Sequence, residues 1–280
     1  MRPRKHFKTL IYSGTGSTQS ITGLEFKPDL VWIKKRNDSA FHQWFDTVRG
    51  ATKGLFSNST NAEYQDSGNL QSFIEGGFTA DGFNGTNASG GTYVAWCWKA
   101  GGASVTNNDG TKSVTLSANQ EAGFSIIEFA GNDANATIGH GLGKKPKFFV
   151  VKSRTHSQNW FVYHVSTGAT KNLRLNDAAS VYTTANIWNN TEPTDTVINL
   201  GSSSGVNGNG NSYICYCWTD IPGFSKIGRY RGKGGSGTSG EAKGPFIYCG
   251  FEPAWVMIKE VDNSNNWIIQ DNTRDPSNPT

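Results

Sequence analysis

The sequence predicts an all-β protein of tandem antiparallel β-sandwich repeats, with jelly-roll or concanavalin-like connections, and three observations carry that expectation. The first is composition: 34 glycines, with many Ser, Thr and Asn, punctuate short aromatic and β-branched runs, the pattern of sheets joined by tight turns. The second is a phrase that occurs three times, each about a hundred residues after the last. It reads Phe26-Lys27-Pro28-Asp29-Leu30-Val31-Trp32-Ile33-Lys34, then Lys144-Lys145-Pro146-Lys147-Phe148-Phe149-Val150-Val151-Lys152, then Phe251-Glu252-Pro253-Ala254-Trp255-Val256-Met257-Ile258-Lys259. The third is an aromatic run closing each of the first two copies, Thr92–Trp98 and Ser212–Trp218. Duplicated units multiply a surface, which points to architecture or adhesion before chemistry at one centre.

The phrase divides the chain into residues 1–101, a first sandwich with a basic amino-terminal arm; 102–122, a linker with a strand expected at 113–117; 123–222, a second sandwich; and 223–280, an incomplete third. Units of about 100 residues are large enough to fold alone. Each opens on a short run ending at glycine (7–14, 123–131 and 223–232), read as a strand.

Pro28, Pro146 and Pro253 then start the next strand, where no ladder donor is required of them. The four residues that follow are all apolar, so both faces of this strand should be covered, by the sandwich or by a neighbouring unit. Trp44, Trp160 and Trp267 follow at a nearly fixed distance, which makes them framework residues destined for the core. The first two copies continue into an identical Gly-Ala-Thr-Lys, at 50–53 and 168–171, and a third short strand at 53–57 and 172–175.

In the closing run, alternation puts Tyr93, Ala95 and Cys97 on one face and Val94, Trp96 and Trp98 on the other. The bulky face is expected to fill the core, the small one to lie under a packed layer. The third unit reaches Thr280 with no closing strand. The expectation is a longer natural chain, strands supplied by a neighbouring subunit, or a partial fold packed on the second unit.

Charge and hydropathy narrow the function classes. A net charge of +4 on 280 residues is mild and scattered, which argues against nucleic acid as a partner. The exception is an arm of Arg2, Arg4, Lys5 and Lys8, read as a solvated terminus or as an anchor on an acidic neighbour. No apolar stretch approaches the roughly 18 residues of a membrane helix, and the first twenty residues lack a signal-peptide core. Cys97, Cys215, Cys217 and Cys249 all lie in apolar runs, as buried free thiols would. Cys215 and Cys217 share one face about 6 to 7 Å apart along a strand, poor geometry for a disulfide.

Motifs of catalysis are present only in letter. Gly201-Ser202-Ser203-Ser204-Gly205 spells a serine-hydrolase elbow inside a Ser/Gly/Asn loop, and 232–237 spells a dinucleotide fingerprint without its βαβ unit. The five histidines (His6, His42, His140, His156 and His164) show no metal-ligand spacing. The carboxylates Asp46, Glu63, Asp66, Glu75 and Asp81 of the first unit are not mirrored in the second, as a glycosidase pair in each unit would require. No catalytic residue, metal or cofactor is therefore assigned. Asn-rich loops at 84–91 and 207–211 suit a glycan-binding surface, and Trp188, in a polar stretch outside the framework, is the candidate stacking platform.

Taken together, Arg4-Lys5-His6-Phe7-Lys8-Thr9-Leu10, the first proline phrase from Gly23, Tyr93-Val94-Ala95-Trp96-Cys97-Trp98-Lys99-Ala100-Gly101, His140-Gly141-Leu142-Gly143-Lys144-Lys145-Pro146 and the third phrase resemble a repeat-containing family of marine tailed-phage proteins found among virion and tail-fibre-like genes. The resemblance covers essentially the whole chain. It implies a non-enzymatic virion structural protein (tail fibre, spike or capsid decoration) with lectin-like sandwich units, made in the host cytoplasm. Its partners would be copies of itself, other virion proteins and host surface glycan, with no nucleic acid and no membrane insertion. Members carry a complete third unit, from which this chain departs. A carbohydrate-binding module recognising cell-surface glycan is the alternative expectation.

Overall fold

In the computed structural model, which describes residues 1–233 and 244–276, the alternating runs form strands of antiparallel sheets. The amino-terminal part contains β1 (Phe7–Ser13), β2 (Gln19–Thr22), β3 (Leu30–Lys35), β4 (Gln43–Asp46) and β5 (Lys53–Phe56). It continues with β6 (Tyr64–Gln65), β7 (Leu70–Ile74), β8 (Gly77–Ala80) and β9 (Thr92–Trp98). The order β1-β9-β3-β4-β5-β6 makes a large sheet, and β2-β8-β7 a small one facing it.

The central part contains β10 (Val105–Asn107), β11 (Val114–Asn119), β12 (Phe124–Ala130), β13 (Ala136–Gly139), β14 (Phe148–Ser153) and β15 (Phe161–His164). After these come β16 (Lys171–Arg174), β17 (Tyr182–Thr183), β18 (Val197–Leu200), a single-turn helix α1 (Ser204–Asn207) and β19 (Ser212–Trp218). Its large sheet runs β10-β11-β12-β19-β14-β15-β16-β17, with β13-β18 as the second layer. From β12 onward the order matches that of the amino-terminal sheet, strand for strand. The carboxy-terminal part is a hairpin of β20 (Trp255–Ile258) and β21 (Ile268–Asp271).

The closing strands β9 and β19 sit between the opening strand and the proline-phrase strand of their sheets, which is why both their faces are apolar. Tyr93, Ala95 and Cys97 point into the amino-terminal sandwich with Leu10, Ile21, Phe45 and Phe78. Tyr213, Cys215 and Cys217 do the same centrally, with Phe129, Phe149 and Trp188. The bulky face behaves differently from expectation. Trp96, Trp98 and Tyr216 lie outside their own sandwiches, in a third core that also takes Trp32, Trp44, Phe148, Trp160, Trp255 and Trp267. The outer faces of two large sheets and one face of the hairpin thus bury one another.

Three expectations are corrected by these pairings. Residues 102–122 are not a free linker: β10 and β11 extend the central sheet through β12. The run 223–232 forms no strand; it follows a tight turn bridged by Ile221 and Ser225. Cys249 lies outside any strand and is only partly buried, whereas Cys97, Cys215 and Cys217 are buried free thiols. The Cys215 and Cys217 sulfurs stand 3.5 Å apart. The glycine-rich run 232–237 lies for the most part outside the described residues.

The shared Gly-Ala-Thr-Lys has a local cause. Gly50 and Gly168 have φ of 101° and 76°, a left-handed turn between β4 and β5 and between β15 and β16 that disfavours any side chain. Gly50→Ala is expected to cost about 1–2 kcal/mol, read as a lowered urea midpoint. A larger loss is expected for Gly77→Ala, where a Cβ would sit 1.9 Å from the Ile21 carbonyl across the β2–β8 ladder.

Candidate functional site at the junctions between units

The same three hydrogen bonds recur at two junctions. Where the central part meets the amino-terminal part, Trp160 Nε1 donates to Phe56 O at 2.9 Å. Lys152 Nζ donates to Thr60 O at 3.1 Å, and the Glu63 amide donates to Arg154 O at 2.8 Å. Where the hairpin meets the central part, Trp267 Nε1 donates to Arg174 O at 2.8 Å. There Lys259 Nζ donates to Ala178 O at 3.1 Å, and the Val181 amide donates to Val261 O at 3.1 Å. Phe56 and Arg174 end equivalent strands, and each lysine is the last residue of its proline phrase. A framework tryptophan and lysine are therefore spent on the backbone of the preceding unit.

A second recurrent device closes the circle. Asp46 Oδ1 accepts the amides of Val48 and Arg49, at 3.0 and 2.9 Å, and its Oδ2 takes the Arg49 Nε. The remaining acceptor capacity goes to Tyr216 Oη, at 2.7 Å, from the closing strand of the central part. Asp271 repeats the arrangement: Oδ1 accepts the Thr273 and Arg274 amides, Oδ2 takes Arg274 Nε, and the incoming donor is Trp96 Nε1 at 3.0 Å, from the closing strand of the amino-terminal part. Arg274 also lies over the Trp96 ring. The central part thus reaches the amino-terminal part, the hairpin reaches the central part, and the amino-terminal part reaches the hairpin. At the position matching Asp46 and Asp271 the central part carries His164, whose Nδ1 likewise accepts the Ser166 amide, at 3.0 Å.

Burial makes these pairs strong and unforgiving. Asp46 and Arg49 are fully enclosed. Burial alone would lower the Arg49 pKa, but Asp46, Tyr216 and Glu63 outweigh it and hold the guanidinium charged. Burial likewise opposes ionisation of Glu63, yet its bonds to Arg154 and its proximity to Arg49 keep its pKa below the ordinary range. Arg154 grips both Glu63 oxygens, at 2.8 and 2.9 Å, and pairs with Glu128 on its other side. Lys152 is fully buried, and desolvation lowers its pKa to about 8. His42, which occupies the position of Trp160 and Trp267, is lowered to about 4, by burial and then by Lys34. Hydrogen bonds between ions and backbone carbonyls in such a setting contribute more than neutral ones.

The residues singled out in the sequence distribute unevenly over this site. Pro28 and Pro146 are buried at the entry to β3 and β14, but Pro253 is exposed. Trp160 and Trp267 are equivalent, each one residue ahead of its strand; Trp44 is not their counterpart but lies within β4, opposite Trp32. Its indole packs edge-on against Trp160 and Tyr216, at 5.2 and 4.7 Å. Trp188 is no surface platform: it is 1% exposed in the central sandwich, against Phe149 and Tyr163. Arg2, Arg4 and Lys5 are exposed on a short 3-10 turn, Pro3–Lys5. Ser203, in the elbow-like motif, caps α1 by accepting the Gly205 amide. Among the described residues no group of His, Cys, Asp and Glu is disposed to hold a metal ion.

Sequence reasoning missed Lys152, Lys259, Arg49 and Arg274. Their signal was present: each proline phrase ends in lysine, and Asp-x-x-Arg occurs at 46–49 and at 271–274. It also missed an exposed aromatic ladder in which Phe41, 47% exposed, stacks on Phe56 at 4.6 Å, and Phe56 on Tyr64 at 4.8 Å.

The family model for a domain of unknown function, DUF7483, matches residues 2–280, so the chain belongs to that family. No curated protein and no solved structure matches it.

Arg49→Met, which strands the enclosed Asp46 carboxylate, is expected to cost about 3–5 kcal/mol in urea unfolding. Trp160→Phe, which removes the indole donor shared by Phe56 O and Ser59 O, is expected to cost about 1–3 kcal/mol. The folded-state pKa of His42 lies below its unfolded value, so between pH 6.5 and about 4 the unfolded chain binds a proton that the folded one does not. Its contribution is complete above pH 6.5 and is lost as pH falls toward 4. His42→Gln should therefore flatten the acid limb of the stability profile, by at most about 3 kcal/mol.

Proposed function

We propose that this member of the DUF7483 family is a non-enzymatic structural protein of a phage virion exterior, a tail-fibre, spike or capsid-decoration component that assembles with copies of itself and with other virion proteins. The observation that carries the reading is the use made of its strongest groups. The Arg154–Glu63 ion pair, the buried lysine, the indole N–H groups, the Tyr216 bond to Asp46 and the shared aromatic core join one unit to the next. Similar units that repeat one junction and close on one another around a shared core make a rigid block, suited to serve as building material in a larger assembly. The exposed basic turn of Arg2, Arg4 and Lys5 serves in this reading as the anchor on an acidic neighbouring protein.

A second reading, recognition of host surface glycan, draws on the Phe41 ladder. An exposed ring backed by two stacked aromatics is a rigid stacking face, and Asn58 stands beside it, holding the His42 amide.

Assembly tests the first reading. Native mass spectrometry and electron microscopy of the purified chain should show trimers, rings or filaments; a stable monomer at micromolar concentration would argue against it. For the second, a glycan array should give binding that Phe41→Ala lowers at least about tenfold. Binding untouched by that change would remove the ladder from consideration.

A further inference from the structure

The aromatic ladder lies on the side of the amino-terminal sheet turned away from the shared core. Along β3 and β4, Ile33 and Phe45 point into the amino-terminal sandwich, while Trp32 and Trp44 point to the shared core. Alternation therefore puts Lys35 and Phe41 on the sandwich side. Phe56, beside the outward Leu55, falls there too, and Tyr64 packs against the sandwich core. Phe41 nevertheless stays exposed.

Polar groups gather at the same end of the sheet. Ile33 and Gln43 are paired across β3 and β4, so Lys35 and Phe41, each two residues beyond that pair, stand opposite one another. Lys35 Nζ donates to Asp38 Oδ2 at 3.0 Å and to Asn84 Oδ1 at 2.7 Å. The bond from Lys35, then that from the Ser39 amide, holds the half-exposed Asp38 carboxyl below the ordinary carboxylate range. Asn84 is exposed, and among the described residues its Nδ2 donates to no protein acceptor. Its loop is drawn against the ladder through Gly85, where a Cβ would lie 1.8 Å from Gln43 Nε2, and Gln43 Oε1 accepts Tyr64 Oη.

The central sandwich keeps this frame and lacks the site. Tyr213 Oη donates to Ser204 O as Tyr93 Oη does to Asn84 O, and Asn176 Oδ1 accepts the Trp160 amide as Asn58 Oδ1 accepts that of His42. Yet Ser153, His156, Asn159, Arg174 and Ser204 stand where the amino-terminal part has Lys35, Asp38, Phe41, Phe56 and Asn84. Asn176 Nδ2 is spent on Asn159 Oδ1, at 2.9 Å. The matching Asn58 is exposed beside the Phe41 ring.

We infer that this end of the amino-terminal sandwich binds one neutral hexopyranose per chain, the end of a glycan, stacked on Phe41 with adjacent hydroxyls donating to Asp38 and accepting from Asn84 Nδ2. The inference rests on the glycan-recognition reading and gives it a sugar class and polar contacts. A pyranose offers a C–H face to an aromatic ring and, at its rim, hydroxyls that both donate and accept. An acceptor and a donor gathered on one ammonium nitrogen serve two neighbouring hydroxyls. The sugar is neutral because Lys35 is already matched by Asp38, and a sugar carboxylate would be set against that ionised oxygen.

The test is an NMR titration of the labelled full chain with the methyl glycosides of galactose, glucose and mannose, and with methyl glucuronide. A neutral glycoside should shift the amides of residues 38–41 and 84–85, leave those of 156–159 and 204–205 in place, and bind more tightly than the glucuronide. Asp38→Asn and Asn84→Ala should each weaken it at least about tenfold. Both side chains are exposed, so the thermal midpoint should move by less than about 2 °C. His156→Ala, at the matching place in the central sandwich, should change nothing. No shift at the named amides would overturn the inference, while the glycan array decides the broader reading on its own. Binding that Phe41→Ala abolishes but Asp38→Asn and Asn84→Ala leave within about twofold, or tighter binding of the glucuronide, would overturn the inference and leave the glycan reading standing.

Discussion

The structure depends on one constraint: the outer faces of its large sheets are as apolar as the inner ones, so no unit can stand in water alone. Trp32, Trp44, Trp96, Trp98, Trp160 and Tyr216 are 0–7% exposed only because the other units cover them. Burying large side chains of this kind contributes on the order of 2–3 kcal/mol each, and a detached unit would forfeit that and expose a contiguous aromatic surface. In the sandwich cores the closing strands contribute small residues, Ala95, Cys97, Cys215 and Cys217, beneath larger ones from the facing strands. Folding and assembly of the units are consequently one event.

Polar groups then fix the register that apolar packing leaves loose. Aromatic layers slide at little cost, whereas an indole N–H aimed at one carbonyl, or a carboxylate enclosed with arginine and tyrosine, tolerates one arrangement. The repeated Trp–carbonyl and Lys–carbonyl bonds act at two junctions, and the Asp–Arg clasp at two. The central part keeps only the turn of this arrangement: His164 accepts the Ser166 amide, Thr167 stands where the clasps have arginine, and burial lowers the histidine below its ordinary pKa.

Much of this was legible in the sequence. The alternation in Thr92–Trp98 and Ser212–Trp218 set out the faces correctly, and the wholly apolar runs after Pro28 and Pro146 correctly required cover on both sides, whereas the run after Pro253 is only half-buried. What failed was the assignment of which face lay inward. Alternation gives two faces but not their destinations, and a bulky face looks like core wherever it goes. Trp188 was misread for a related reason: polar neighbours such as Asn189, Asn190 and Thr191 line a turn while the indole itself turns into the sandwich. The lysines and the Asp-x-x-Arg clasps were visible as recurrences, but a charged residue at the end of a strand reads as surface until its partner in another unit is known. The short strands β6, β10 and β17 carried too little periodicity to be seen.

If the shared aromatic core governs the molecule, differential scanning calorimetry of the whole chain should give one cooperative transition, with a calorimetric to van't Hoff enthalpy ratio of about 1. Two resolved transitions, each retaining its midpoint when the other is abolished by mutation, would show sandwiches that are stable independently, and would contradict the account.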